Sequence, residues 1–303
     1  MIHGKIESNM NLSTNKNIDT IEKSVLEIIP CPVCKSSDMS VLHTFEPFRV
    51  VSCRNCKLIY LNPRLKESDM MKAYRENEYF SESGDSGYQN YNYVSQERSL
   101  RMTFRRFLKE LKKHGIESGR LLELGCGYGY FLDEARHYFS YLAGTELSQE
   151  AADNARKISG ADVYTGDLGS LPDEVFDFDF IASINVIEHI YDPVEFLLSL
   201  KKRLVKGGRI IIATPNIGSI WYKVMKNKWS SFKIPEHVVF YSAGTLIPLL
   251  RKTGFQDIMR IPFLHAYPLG LLSSALGIYL PEAISRKPVW LPWTMTAVSA
   301  RAI

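Results

Sequence analysis

The chain has 303 residues, 45% hydrophobic and 23% charged, with a formal net charge of +4. That length suits a large core with an accessory module, and so mild a basicity does not by itself argue for nucleic acid. No run of residues qualifies as a transmembrane helix. Residues 1–25 are polar, rich in Asn, Ser and Lys, and hold no apolar signal core. They read as a disordered or loosely attached leader on a cytoplasmic protein.

Residues 26–64 carry the first strong pattern. Cys31-Pro-Val-Cys34 and Cys53-Arg-Asn-Cys56 stand 18 residues apart. Two such pairs, each in a tight turn, bring four thiolates together and read as a tetrahedral zinc site. Met39 to Phe45 and Arg49 to Ser52 read as short strands, with a further one in Lys57 to Pro63, as in a zinc ribbon. Disulfides are the rival reading, but no secretion signal supports an oxidising compartment. The ribbon reads as a staple forming one wall of a substrate pocket, because Phe45 and Phe48 lack the basic clustering of a nucleic-acid surface.

Residues 65–116 read as a helical connector. Ser68 to Asn77 forms a short helix, and Tyr79 to Tyr93 is a tyrosine-rich loop whose Tyr88 and Tyr91 are candidates to close over a ligand. Ser95 to His114 places Leu100, Phe104, Phe107, Leu108 and Leu111 on one helical face. The opposite face carries Arg101, Arg105, Lys109, Lys112 and Lys113 and reads as solvated, with an anionic partner as the alternative.

Residues 117–303 read as one α/β domain. The apolar run Leu121 to Leu124 stops at Gly125, Gly127 and Gly129, and a helical pattern follows. That is a buried parallel strand turning into a helix, where open α/β sheets bind ligands. Cys126 inside the turn reads as a small space-filler rather than a nucleophile. A dinucleotide fingerprint wants a third glycine where Tyr130 stands. Tyr141 to Glu146 is a second strand ending in an acid able to accept both hydroxyls of a ribose. Ala161 to Asp167 ends a third strand in a carboxylate, and Phe178 to Asn185 is a fourth. A helix from Val194 to Val205, a turn over 206–208 and a fifth strand, Arg209 to Asn216, follow. In this order the segments resemble the class I S-adenosylmethionine-dependent methyltransferases over roughly Gly119 to Phe255. The resemblance implies a Rossmann-like, seven-stranded α/β sheet. It also implies cofactor contacts at Glu123, Gly125, Gly127, Gly129, Glu146, Leu147, Asp167, Leu168 and Asn185. The missing pyrophosphate-binding glycine agrees, since S-adenosylmethionine has no phosphates to cradle.

Beyond strand five, Glu236-His237 followed by Phe240-Tyr241-Ser242 resembles a motif of small-molecule methyltransferases. Among these are bacterial sugar C-methyltransferases, which also begin with a four-cysteine zinc module. The resemblance implies that His237 or Glu236 takes the acceptor's proton; Glu188-His189, after strand four, is a second candidate pair. His237 also fits a capping or core histidine ahead of a helix from Ser242 to Thr253. Ile234 stands where that family has a tyrosine, and the family's long C-terminal domain does not follow strands six and seven. These departures favour O-methylation, or N-methylation, over C-methylation; the expectation is O-methylation of a sugar or glycan precursor, with RNA methylation through the ribbon as the alternative. Strands six and seven read as Gln256 to Pro262 and Trp293 to Ala302, with 261–292 between them as a lid or apolar insertion. Ile261 to Pro281 has 21 residues without a charge, broken by Pro262, Pro268 and Pro281. It reads as a lid or core helix, or else as a peripheral membrane contact.

Overall fold

A computed structural model describes residues 25–76, 93–274 and 278–303. The N-terminal leader through residue 24, and Tyr88 and Tyr91, lie outside the described residues.

The ribbon begins with β1 (Leu26–Glu27), β2 (Met39–Phe45), β3 (Phe48–Cys53), β4 (Ile59–Leu61) and β5 (Arg64–Leu65). Helices α1 (Glu67–Glu76) and α2 (Glu97–Lys113) follow. Then come β6 (Arg120–Leu124), α3 (Tyr130–Ala135), β7 (Tyr141–Glu146), α4 (Gln149–Ser159), β8 (Asp162–Thr165) and β9 (Phe178–Ile184). The chain continues through α5 (Pro193–Arg203), β10 (Leu204–Pro215), α6 (Ile220–Met225), β11 (Val239–Phe240), α7 (Ala243–Lys252) and β12 (Phe255–Arg260). It closes with β13 (His265–Pro268), α8 (Leu269–Ser274), α9 (Glu282–Ser285), β14 (Pro288–Leu291) and β15 (Met295–Ala302).

Seven strands form the main sheet in the order β12-β15-β10-β9-β6-β7-β8. β8, β7, β6, β9 and β10 run parallel, whereas β15 enters antiparallel between β10 and β12. The parallel strands read as apolar runs because helices cover both faces of such a sheet: Leu121, Leu122, Ile181, Ile210 and Ile212 are fully buried. The glycine pair at 207–208 opens a register shift inside one strand, β10, rather than a separate turn. All five apolar positions expected on α2 are buried.

The basic face of α2 is exposed at Arg105, Lys109, Lys112 and Lys113, and only Arg101 is half-buried. Arg101 pairs with Glu97, Asp133 and Glu134 at 2.6–3.0 Å, and Arg105 with Glu134 at 2.6 Å, tying α2 to α3.

The ribbon sheet takes its fourth strand from the methyltransferase-like part of the chain. Its order is β11-β4-β3-β2, with Val239 opposite Tyr60 and Phe240 opposite Ile59. Phe48, Tyr60 and Leu61 share one continuous core with Phe240, Tyr241 and Leu249. Arg64 donates to the Tyr191 carbonyl at 3.1 Å, and the Tyr191 hydroxyl donates to the Leu65 carbonyl at 2.9 Å. Lys252 reaches the Val33 carbonyl inside the first knuckle.

The apolar insertion folds as a small antiparallel pair, β13 on β14. It is pinned to α2 by the Ala266 N–H, which donates to the Thr103 hydroxyl at 2.9 Å. Ile261, Phe263, Ala266 and Leu271 are buried, while Ile278 and Tyr279 are exposed. No helix among the described residues is long and apolar enough to cross a membrane.

At the antiparallel edge, Asp257 on β12 accepts from Arg209 at 2.7 Å and lies 3.3 Å from Arg301. These guanidinium groups, Arg209 foremost, hold its carboxyl below the ordinary aspartate value of 3.8. A depressed folded value stabilises the native state above the unfolded value and is lost as pH falls through the folded one. Wild-type protein should therefore outlast Asp257→Asn in urea at pH 7, and the gap should shrink as pH falls below 3.8. An unchanged gap at pH 3 would refute the linkage.

Candidate active site

Strand β6 ends in Glu123-Leu124, followed by Gly125, Gly127 and Gly129, all three glycines with positive φ. At Gly129, φ is +83° and a β-carbon would stand 2.6 Å from Cα of Ala155, so only glycine lets α3 start this close to α4. At Gly127, a β-carbon would stand 3.2 Å from the Tyr93 hydroxyl. Tyr93, the last residue of the tyrosine-rich loop, thus lies over the turn. Its ring stacks on Tyr130 at 5.5 Å, the residue in the third-glycine position.

Glu146, at the tip of β7, is buried and reaches back to this turn. Its Oε2 accepts from the Gly127 N–H at 2.8 Å and its Oε1 from the Ser148 N–H at 3.0 Å. Burial pushes its pKa up, and the backbone donors pull it back. Glu123 is also buried, and its Oε2 has no partner among the described residues. Burial first, and then the Glu146 charge, raise its pKa well above the usual range. Asp167 is exposed after β8, where its Oδ1 accepts from the Gly169 N–H at 2.9 Å. Leu147 is exposed and Leu168 half-buried beside these two acids. Asn185 adopts φ +55° just past β9.

A cavity of about 210 Å³ extends from Glu123, Gly125 and Gly127 past Asn185 to His189 and His237. Neither Glu146 nor Asp167 lines it. They flank the turn at the neighbouring strand tips.

The histidines meet across two segments distant in sequence. His189 follows β9, and His237 precedes β11; their rings stand 4.7 Å apart, edge to face. His189 Nδ1 lies 3.1 Å from the Glu236 carbonyl, and His237 Nδ1 lies 2.8 Å from the Ser231 carbonyl. Burial pulls His189 down to about 4 and His237 well below its ordinary value. Glu188 is buried, accepts from the Thr214 hydroxyl at 2.9 Å, and is pushed up to about 7 by burial. The Glu236 side chain does not line the cavity; its backbone carbonyl orients His189.

Sequence reasoning passed over several contributors. Thr214 orients Glu188 from the end of β10, Lys233 lines the cavity, and His265 and Tyr267 stack at 4.2 Å on its wall from β13. The signal for His265 was present: it is the one titratable imidazole in the uncharged run 261–281.

The four ribbon cysteines converge as expected. Their sulfur atoms all lie within 4.8 Å of one another, with Cys31 to Cys56 at 3.5 Å and Cys34 to Cys53 at 3.4 Å. All are unbridged thiols. Tetrahedral zinc with bonds of about 2.3 Å places sulfurs roughly 3.8 Å apart, so the cradle fits that ion. The knuckles repeat one backbone solution: the Lys35 N–H donates to the Cys31 carbonyl and the Lys57 N–H to the Cys53 carbonyl, both residues at positive φ. Burial opposes ionisation of Cys34, but the Ser36 N–H and neighbouring thiols outweigh it and bring its pKa to about 6. Cys126 is buried away from this group in the core beneath the glycine turn.

A parallel sheet extended by an antiparallel seventh strand, with a glycine turn after β6 and an acid at the tip of β7, defines an S-adenosylmethionine-dependent methyltransferase of class I. The chain belongs to a methyltransferase-domain family whose profile matches residues 93–259, more than half its length. It is 32% identical to an uncharacterised protein of Methanocaldococcus jannaschii over 50% of this chain and 71% of that one. It is 26% identical to a probable S-adenosylmethionine-dependent methyltransferase of Mycolicibacterium smegmatis over 59% of this chain and 69% of the other. In fold it matches the magnesium protoporphyrin IX methyltransferase of Synechocystis PCC 6803, solved with bound SAH. There the TM-score is 0.51 at 14% identity, covering 76% of this chain and all of that one. The unpartnered Glu123 oxygen and the side-chain-free glycine turn fit S-adenosylmethionine as the methyl donor.

Proposed function

We propose that the chain methylates an oxygen of a small acceptor, a sugar or glycan precursor, seated in this cavity. The carrying observation is that Glu188, His189 and His237 line the same cavity as the glycine turn. When bound, S-adenosylmethionine supplies a methyl on a sulfonium, whose C–S bond pair stays with sulfur as the acceptor oxygen takes the methyl. Glu146 is assigned to the ribose hydroxyls, Asp167 to the adenine amino group, and Leu147 and Leu168 to the faces of the adenine. Glu123 is assigned to the cofactor's ammonium group, with Gly125, Gly127, Gly129 and Asn185 giving close backbone approach. A hydroxyl attacks poorly until its proton leaves. Glu188, His189 and His237 promote that loss, and the proton passes on to solvent. Cys31, Cys34, Cys53 and Cys56 hold one structural zinc. The ribbon then acts on the site indirectly: β11, paired to β4, closely follows His237.

His237→Ala is expected to lower kcat by about 10²–10⁴-fold with S-adenosylhomocysteine affinity unchanged. Retained turnover would refute the assignment. Labelled methyl appearing in RNA, with affinity that falls steeply with salt, instead of in low-mass sugar fractions would overturn the acceptor class.

A further inference from the structure

The cluster beside the glycine turn has the make-up of a metal centre. The ligand atoms of Glu188, His189 and His237 all lie within 4.8 Å of one another. Both imidazoles are held through Nδ1 by backbone carbonyls, at 3.1 Å for His189 and 2.8 Å for His237. A carbonyl only accepts, so each Nδ1 carries the hydrogen and each neutral ring keeps its lone pair on Nε2. Metal-bound histidines are oriented in this way, through the ring nitrogen that does not ligate. Glu188 is set similarly. The Thr214 hydroxyl donates to Oε2 at 2.9 Å, and Oε1 is buried with no partner among the described residues. Leaving such an oxygen unpaired is costly, and a cation on the cavity side would relieve it.

We propose that Glu188, His189 and His237 bind a divalent first-row transition cation whose open side faces the acceptor. Two imidazoles and one carboxylate suit Zn²⁺, Fe²⁺ or Mn²⁺, whereas Ca²⁺ prefers an all-oxygen shell. Bonds of about 2.0–2.2 Å would bring the ligand atoms to roughly 3–3.5 Å, a contraction within reach of side-chain rotation. Lys233 lines the same cavity, and its positive charge opposes a cation. The ion is therefore an exchangeable one, unlike that of the four cysteines. The proposal rests on the acceptor-site reading and deepens it: a Lewis acid there polarises the acceptor O–H so that its proton passes to solvent.

Full-length protein with zinc at its cysteines is titrated with Mn²⁺ and followed by electron paramagnetic resonance. Thiolate sites disfavour Mn²⁺, so uptake reports the second cluster. One Mn²⁺ per chain is expected, with nitrogen couplings from two imidazoles in the pulsed spectrum. Glu188→Gln and His237→Ala should each weaken binding at least about tenfold. Their S-adenosylhomocysteine affinity, which reports folding, should stay within about threefold of wild type. No stoichiometric Mn²⁺, couplings from water alone, or undiminished binding in both variants would overturn the proposal. Should a variant fail to fold, the wild-type couplings decide the matter. Methyl transfer by protein that takes up no Mn²⁺ would remove the cation and leave the proposed function standing. Absence of S-adenosylhomocysteine binding would remove that function, while the Mn²⁺ titration would still decide the cation.

Discussion

Glu146→Ala is expected to weaken S-adenosylhomocysteine binding by about two orders of magnitude, measured by calorimetry. Two hydrogen bonds from ribose hydroxyls to an ionised carboxylate contribute roughly 1.5–3 kcal/mol each, and 1.4 kcal/mol is tenfold in affinity. The same carboxylate accepts from the Gly127 N–H at 2.8 Å, so its loss also releases the backbone of the turn it holds. Glu146→Gln is expected to do little better. Its amide nitrogen must then face either the Gly127 or the Ser148 N–H, each of which is itself a donor. Binding by Glu146→Ala within threefold of wild type would remove Glu146 from the cofactor site.

Treating the protein with a zinc chelator, or replacing Cys53 by Ser, is expected to separate binding from turnover. Burial of Phe48, Tyr60 and Leu61 against Phe240 and Tyr241 depends on strands that two knuckles hold in place. A loss of about 4 kcal/mol would lower Tm by roughly 6 °C for a chain of this size. Turnover should collapse, because β11 loses its partner strand one residue after Val238, whose N–H donates to the Glu188 carbonyl at 2.9 Å. S-adenosylhomocysteine should still bind within a few-fold, because the glycine turn is carried by β6 and α3 and not by the ribbon sheet. A chain that elutes without zinc and melts unchanged after Cys53→Ser would refute the staple.

Much of the fold was legible because local chemistry and final environment agree. Leu121, Leu122 and Leu124 show no alternation, and the strand they form is covered on both faces. The α2 periodicity named five core residues, and the helix buries all of them. The acids at 123, 146 and 167 lie at or near the ends of their strands, as their positions implied. The ribbon strand Met39–Phe45 has the expected limits. The solvated reading of the α2 basic face held at Arg105, Lys109, Lys112 and Lys113 and failed at Arg101 for a nonlocal reason: its partners Asp133 and Glu134 lie about 30 positions on, on another helix.

By itself, the sequence determined the methyl donor and the convergence of the ribbon's four cysteines. Both depend on short-range spacing: glycines two apart, cysteines three apart, and acids at strand tips. Only the tertiary structure decided that the ribbon sheet is completed by β11, and that Glu188 and His189 meet His237 beside the glycine turn. Those contacts join segments far apart in the chain, about 48 residues for His189 to His237 and about 179 for Tyr60 to Val239. A spacing rule reaches only as far as a turn or a helix repeat. Contacts at longer range follow from which faces the whole chain must bury together.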